Sequence, residues 1–253
     1  MKNWKKALRF ALCLLPIGLI GGWFAAEMTL PSVALDALET AVQQVGSLAA
    51  VKAITTVSSA VYTVICGFFG YILAEKIGLM LPFSFQKATL IRVLLISAFG
   101  GAILSLDAWT FANWIPQLKD SYTAAGSFDV TTWIASILYG GVTEEIMIRL
   151  FLMSGLALLG WKLFFRSEEQ VPIKVLVIAN ILSALVFAAG HLPVTAQTFG
   201  TLTPLLLLRC FLLNGTAGLL FGRFYRKYGI QYAILAHMLF HLVSRTIWLI
   251  AIP

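Results

Sequence analysis

Charged residues are scarce in this sequence, and that scarcity limits the kind of protein it can encode. Asp, Glu, Lys and Arg make up 11% of the 253 residues, whereas a soluble domain carries about a quarter. Hydrophobic residues make up 60%, and the mean hydropathy is +0.90. These values exclude an ordinary soluble domain. They predict an all-α fold, a polytopic transmembrane helical bundle.

Cysteine is also scarce, and its placement excludes a disulfide framework. Cys13, Cys66 and Cys210 are odd in number, far apart and set within apolar runs. They show no metal-binding spacing either. The sequence also lacks low-complexity tracts, long linkers and a convincing internal repeat. We therefore predict a single integral-membrane domain over residues 1–253.

Long apolar runs supply the membrane spans. At about 20 residues for each span, the sequence predicts about seven, approximately at 8–26, 53–74, 89–108, 139–161, 174–192, 204–222 and 230–251. The first run follows a basic head, as in a signal peptide, but no clear cleavage site follows it, so we expect it to be retained. Segment 32–49 is too polar to span and is expected to form a helix at the interface. Segment 109–138 is expected to be a loop leading into the fourth span.

The net charge of +7 follows the positive-inside pattern of membrane proteins and does not indicate nucleic-acid binding. Most basic residues outside the spans lie at the N-terminus and in the loops after the second, fourth and sixth spans. Only Lys52 and Lys119 fall in loops on the other side. The pattern predicts a cell-membrane protein in a lipid bilayer, with its N-terminus in the cytoplasm.

Three ionisable residues nevertheless lie inside the fourth apolar run. A charge at mid-bilayer costs about 2.5–3.5 kcal/mol on the insertion scale, so Glu144, Glu145 and Arg149 require an explanation. Glu145 and Arg149 are spaced i,i+4 and can pair on one helix face. Adjacent α-helical residues diverge by about 100 degrees, so Glu144 must point elsewhere. We assign Glu145 and Arg149 to structural support and treat Glu144 as a candidate functional group.

Histidine is limited to three residues, and all of them lie in apolar spans. His191 closes the fifth span, while His237 and His241 share one face of the seventh at i,i+4 spacing. With an intramembrane carboxylate at Glu144, the three predict one shared functional site.

Two further arginines lie inside apolar spans, Arg209 and Arg245. Each could pair with one of the glutamates, or its long side chain could reach the outer interface.

The ionisable residues also carry a family resemblance. Residues 144–149 resemble an EExxxR motif, residues 187–191 an FxxxH motif, and residues 237–241 an HxxxN motif in which His241 replaces the asparagine. Together and in this order, they resemble the CPBP family of CAAX-protease and bacteriocin-processing membrane proteases, also called Abi proteins. The resemblance covers about residues 130–245, the motif-bearing core.

The resemblance implies an intramembrane endopeptidase acting on a membrane-associated protein or peptide. Glu144 would activate a water that His191 orients, while His237 and His241 would donate hydrogen bonds to the oxyanion. The same four side chains could instead bind zinc, although the HExxH glutamate is missing because Met238 follows His237. We favour a reaction without metal, with zinc as the alternative cofactor.

Two other classes of function remain open from the sequence. Buried Glu, His and Arg also form proton relays in transporters, and a non-catalytic scaffold or immunity protein is a third class. The site also has two predicted orientations. Tyr139 as an outer interfacial anchor would put Glu144 about 7–8 Å below the outer boundary, in a cavity open to the extracytoplasmic side. The resemblance implies a site for cytosol-facing tails instead.

Overall fold

The computed structural model describes residues 3–33, 35–125 and 129–252. Its helical content is 87%, and no strand occurs in these three ranges. The same ranges contain seven helices that are long and apolar enough to cross a membrane, which confirms the all-α polytopic bundle. The main helices are α1 (Trp4–Thr29), α2 (Leu35–Val45), α3 (Leu48–Lys76), α4 (Lys87–Ser105), α5 (Phe111–Trp114), α6 (Pro116–Ala125), α7 (Val130–Phe164), α8 (Ile173–Gly190), α9 (Leu192–Phe199), α10 (Pro204–Tyr228) and α11 (Ile230–Ala251).

The first two spans are antiparallel, and their contacts define the two ends of the bundle. Asn3 donates a hydrogen bond to the Glu75 carboxylate at one end. At the other, Lys52 Nζ lies 3.1 Å from Glu27 Oε2. We call the end that holds Glu27 and Lys52 the distal end, because it is the one remote from the N-terminus.

Helix α7 lies at the centre of the bundle and packs against α1, α3, α8, α10 and α11. Its side chains Ile146, Leu150, Met153 and Ala157 are fully buried in the main hydrophobic core. The motif that carries the two glutamates therefore lies on a helix that contacts five other spans, where a buried charge needs a partner.

The outer surface of the bundle is apolar, as contact with lipid tails requires. Leu95 and Phe99 of α4 are 67% and 68% exposed, and Leu182 and Leu185 of α8 are also exposed. With the seven apolar helices, this surface identifies an integral membrane protein.

The expectation of a loop over residues 109–138 is wrong, because most of this segment is helical. Pro116 occupies the first turn of α6, where its missing N–H costs nothing. Asp129 caps α7 by accepting hydrogen bonds from the backbone N–H groups of Thr131 at 3.1 Å and Thr132 at 2.9 Å. The hydrogen bonds that the Asp129 carboxylate accepts, above all the one from the Thr132 hydroxyl, hold the pKa of this group below its usual range. The fourth span consequently begins nine residues before the predicted position 139.

The central part of α7 is wound as a π-helix over Ala135–Glu144 and again over Ile146–Met153. The sequence analysis assumed α-helical turns throughout, so the predicted angle of about 100 degrees between neighbouring side chains does not apply here. π-Helical turns are rare and frequently occur at functional sites. The wider turns hold the EExxxR segment.

Candidate active site

The two adjacent glutamates of α7 point to different surroundings. The Glu144 side chain is 22% exposed, whereas that of Glu145 is completely buried. Glu145 Oε1 lies 2.9 Å from His237 Nδ1, and Glu145 Oε2 lies 3.4 Å from Arg149 Nε. The expected pair with Arg149 is therefore present, and Glu145 has a second partner on α11 that the sequence analysis did not assign to it.

Arg149 is fully buried and packs between aromatic rings. Its guanidinium carbon lies 4.7 Å from the ring centre of Phe187 and 5.9 Å from that of Phe221. A Cβ at Gly218 would lie 3.3 Å from Arg149 Nη2, so the glycine leaves room for the guanidinium. The faces of these rings attract the desolvated cation. They add to the attraction of Glu145, the carboxylate that pairs with Arg149.

His237 and His241 stack on each other along α11, with ring centroids 4.9 Å apart and Nε2 atoms 3.1 Å apart. Phe221 stacks on the opposite face of this pair, 4.5 Å from the His237 centroid. Glu144 Oε2 lies 4.0 Å from His237 Nε2. The fourth and seventh spans thus bring two carboxylates and two imidazoles together.

A glycine on α7 permits this approach. A Cβ built at Gly140 would lie 3.0 Å from His241 Nε2 and 3.8 Å from His237 Nε2. In the structure, Gly140 sets the distance between α7 and the histidine face of α11.

His191 lies where α8 ends and α9 begins. Its Nδ1 lies 2.8 Å from the Phe187 carbonyl oxygen, and the two rings meet edge to face at 4.8 Å. Because a carbonyl oxygen can only accept, Nδ1 carries the proton, and Nε2 keeps its lone pair. The FxxxH spacing therefore produces an imidazole that is fixed in orientation and tautomer.

A cavity of about 510 Å³ lies at the distal end, between α1, α7, α8 and α11. Glu144, His191 and His241 line it, while His237 lies behind His241 and is not part of the lining. Apolar side chains complete much of the wall, among them Met28, Met147, Ile148 and Val186. Three of the four predicted site residues thus line one cavity. The fourth, His237, contacts Glu144 and His241.

Tyr139 also lines this cavity, so its expected position as an anchor at the end of the fourth span is wrong. Because α7 begins at Val130, Glu144 lies fourteen residues after the start of this helix, whereas the prediction placed the start of the span at Tyr139, five residues before it. The sequence analysis also missed Ser136, which lines the cavity, and Phe221, which stacks on His237. Neither belongs to a motif, and no spacing in the sequence identifies them.

Neither additional arginine pairs with a glutamate. Arg209 Nε lies 2.9 Å from Asp107 Oδ2 and 3.1 Å from Asp107 Oδ1, and Tyr122 donates a hydrogen bond to the same carboxylate. Arg245 Nε donates to Ser136 Oγ at 2.8 Å. Arg209 therefore connects α10 to the segment that follows α4 at the distal end, whereas Arg245 lines the cavity.

The donors do not form a metal site as they are placed. Within residues 3–33, 35–125 and 129–252, no group of three or more His, Cys, Asp and Glu side chains could hold a metal ion. The 3.1 Å between His237 Nε2 and His241 Nε2 suits a hydrogen bond. It is also close to the ligand separation of about 3.3 Å that a tetrahedral zinc with Zn–N bonds of about 2.0–2.1 Å would have. A third ligand at that distance is missing from the cluster, so no reaction step is assigned to a metal.

Comparison with known families gives one match. Residues 126–243 match the family described as "Type II CAAX prenyl endopeptidase Rce1-like". Among curated proteins and among solved structures, none matches the chain. The matched residues include Glu144, His191, His237 and His241, and they agree with the CPBP resemblance read from the motifs. Residues 126–243 of this integral membrane protein are therefore similar to the Rce1-like, type II CAAX prenyl endopeptidase family.

Proposed function

We propose that this protein is an intramembrane endopeptidase that hydrolyses a peptide bond of a membrane-associated protein or peptide. One observation carries the proposal: Glu144, His191 and His241 face a single cavity in the distal half of the bundle. A carboxylate and a fixed imidazole at the wall of a mostly apolar cavity can bind one water molecule and take a proton from it. The family match over residues 126–243 supports this class of reaction.

Glu144 acts as the general base in this mechanism. It takes one proton from water, and the resulting hydroxide attacks the carbonyl carbon of the substrate. His191 Nε2 accepts a hydrogen bond from the second hydrogen of the water, because its Nδ1–H donates to the Phe187 carbonyl oxygen. When the tetrahedral intermediate collapses, Glu144 returns its proton to the leaving nitrogen. The number of protons balances without another reactant.

The sequence predicted that both His237 and His241 donate hydrogen bonds to the oxyanion, but the hydrogen bonds of this pair favour His241 alone as the donor. The Glu145 carboxylate can only accept, so His237 donates from Nδ1 and, as a neutral ring, presents a lone pair at Nε2. His241 then donates its Nε2–H in the resting state. It is the ring that lines the cavity, so its Nε2–H shifts from His237 Nε2 to the oxyanion when the intermediate forms, and a single such donor contributes about 3–4 kcal/mol. Glu145, Arg149 and His237 hold it in position.

The proposal is tested by comparing the membrane proteins of cells that carry the wild type or Glu144→Gln. We expect at least one peptide end to be present with the wild type and absent with Glu144→Gln, although both proteins accumulate equally. Glu39→Gln, an exposed glutamate on α2, is the matched control and should retain the end. Full cleavage by a well-accumulated Glu144→Gln would disprove the mechanism. Loss of a proton-coupled flux would instead indicate a transporter, and no change at all a scaffold or immunity protein.

A further inference from the structure

The cavity contains a cation that the proposed reaction does not use. Arg245 lines it together with Glu144 and His241, yet the mechanism gives this arginine no task. Arg245 lies two residues beyond the end of the family match at 243. Its position thus has to be explained from its own contacts.

Two other arginines inside the bundle form salt bridges with carboxylates, whereas Arg245 forms none with the residues that the structure describes; Asp129 acts on it only from a greater distance. Arg149 pairs with Glu145, and Arg209 pairs with Asp107. Among the side chains that the structure describes, no carboxylate lies within 4.0 Å of the Arg245 guanidinium. Its Nε donates a hydrogen bond to Ser136 Oγ at 2.8 Å. Asp129 is nearby, but its oxygens cap the start of α7.

Ser136 fixes the orientation of this guanidinium. A bond from Nε to a hydroxyl leaves the two terminal nitrogens of the planar fork available. Such a fork matches a carboxylate with two parallel hydrogen bonds. A cation kept in a largely apolar cavity is costly, and an anion bound beside it offsets that cost.

We infer that Arg245, held by Ser136, binds a carboxylate of the peptide substrate and is a specificity determinant of the proposed peptidase. Arg245 follows His241 by one helical turn, about 6 Å along the axis. An extended residue spans about 3.3–3.6 Å, so the carboxylate lies within about two residues of the bond that is cleaved. It belongs either to the C-terminus of the substrate or to an Asp or Glu side chain.

This inference rests on the proposed function, and its test uses the substrate found there. Synthetic peptides spanning the cleaved segment are made with a free or an amidated C-terminus, and with acidic side chains replaced by their amides. The detergent-purified full chain is assayed as wild type, Arg245→Gln, Arg245→Lys and Ser136→Ala. Arg223→Gln, at the exposed opposite end of α10, is the matched arginine control.

We expect KM for the carboxylate peptide to rise about 10- to 100-fold in Arg245→Gln, the range for a lost hydrogen bond to a charged group, with kcat changed much less. Arg245→Lys should restore part of the preference, because it keeps the charge and loses the fork. Ser136→Ala should give a smaller rise, and Arg223→Gln none. Amidation should raise KM for the wild type at only one position of the peptide, and the same amidation should not change KM for Arg245→Gln. That position identifies the source of the carboxylate.

The outcomes of the two proposals are separable. If no peptide end depends on Glu144, the proposed function fails, and this inference fails with it. If cleavage depends on Glu144 while amidation and Arg245→Gln leave KM unchanged, only the role of Arg245 is overturned. An equal rise in KM for acid and amide peptides would also overturn it, because that result indicates a distorted cavity and not recognition of charge.

Discussion

Glu145 lies at the intersection of two interactions, and both depend on its negative charge. One oxygen accepts from His237, and the other lies beside Arg149, with all of this carboxylate buried. A neutral side chain at this position would leave the Arg149 guanidinium without a counter-charge and His237 without its acceptor. Stability and orientation of the site are therefore linked through one residue.

Removing only one charge of this pair should be worse for stability than removing both. Glu145→Ala leaves Arg149 as an uncompensated buried cation, which costs about 3–5 kcal/mol. We expect Glu145→Gln/Arg149→Met to accumulate in the membrane at a higher level and to unfold at a higher temperature in detergent than Glu145→Ala. The double variant should still be inactive, because an amide does not hold His237 as the carboxylate does. A less stable double variant would contradict the pairing.

The metal alternative is decided by chelation. The described donors lack a third ligand next to the His237 and His241 pair, so we expect the purified protein to retain full cleavage after treatment with a chelator. Elemental analysis should find less than stoichiometric zinc. The zinc reaction would replace the one proposed if the protein held about one zinc per chain, if chelation removed both the zinc and the activity, and if added zinc restored the activity.

At the scale of helices, the site depends on how closely α7 approaches α11. Gly140 permits a contact at which a Cβ would lie 3.0 Å from His241 Nε2. The π-helical turns place this glycine and Glu144 on the same central segment. A small change in helix separation should therefore affect catalysis before it affects folding.

Gly140→Ala tests this dependence. The added methyl group must displace the His241 ring or the helix, and a shift of about 1 Å can reduce a rate about 100-fold. We expect cleavage to fall about 10- to 100-fold with little change in the amount of protein in the membrane. Gly155→Ala is the matched control on the same helix, because its Cβ would meet only Leu73 Cδ1, at 3.7 Å. Equal activity of the two variants would show that the close approach at Gly140 is not needed.

At the scale of the whole molecule, the cavity lies at the end of the bundle remote from the N-terminus. Thr29, at the end of α1, lines it, as does Val194 of α9. The basic residues at the N-terminus predict that the N-terminal end of the bundle, opposite the cavity, lies in the cytoplasm. If so, the cavity opens to the extracytoplasmic side, even though CAAX-type proteases act on tails that face the cytosol.

Cysteine labelling distinguishes these orientations. In a background without Cys13 and Cys66, we expect Gln197→Cys, exposed on α9 at the distal end, to react with a membrane-impermeant maleimide on intact cells. Gln170→Cys, exposed in the loop between α7 and α8, should react only after the cells are broken. The reverse pattern would place the cavity on the cytoplasmic side.

The sequence by itself determined the class of fold, because the length and apolarity of seven runs suffice to define membrane spans. It also showed the resemblance to the family whose model matches residues 126–243, since the three motifs occur in order in separate spans. The Glu145–Arg149 pair was predictable for a similar reason: both partners lie on one helix, and local spacing brings them together.

Only the tertiary structure decided which partners meet across helices. No pattern in the sequence links Glu145 to His237, Arg209 to Asp107 or Arg245 to Ser136, because these contacts join residues about 90 to 110 positions apart and arise from packing. The π-helical turns of α7 and its close approach to α11 at Gly140 likewise have no signal in the sequence and are seen only in the structure. Composition and motifs thus specify the spans and their chemical groups, whereas helix packing determines which groups share a cavity.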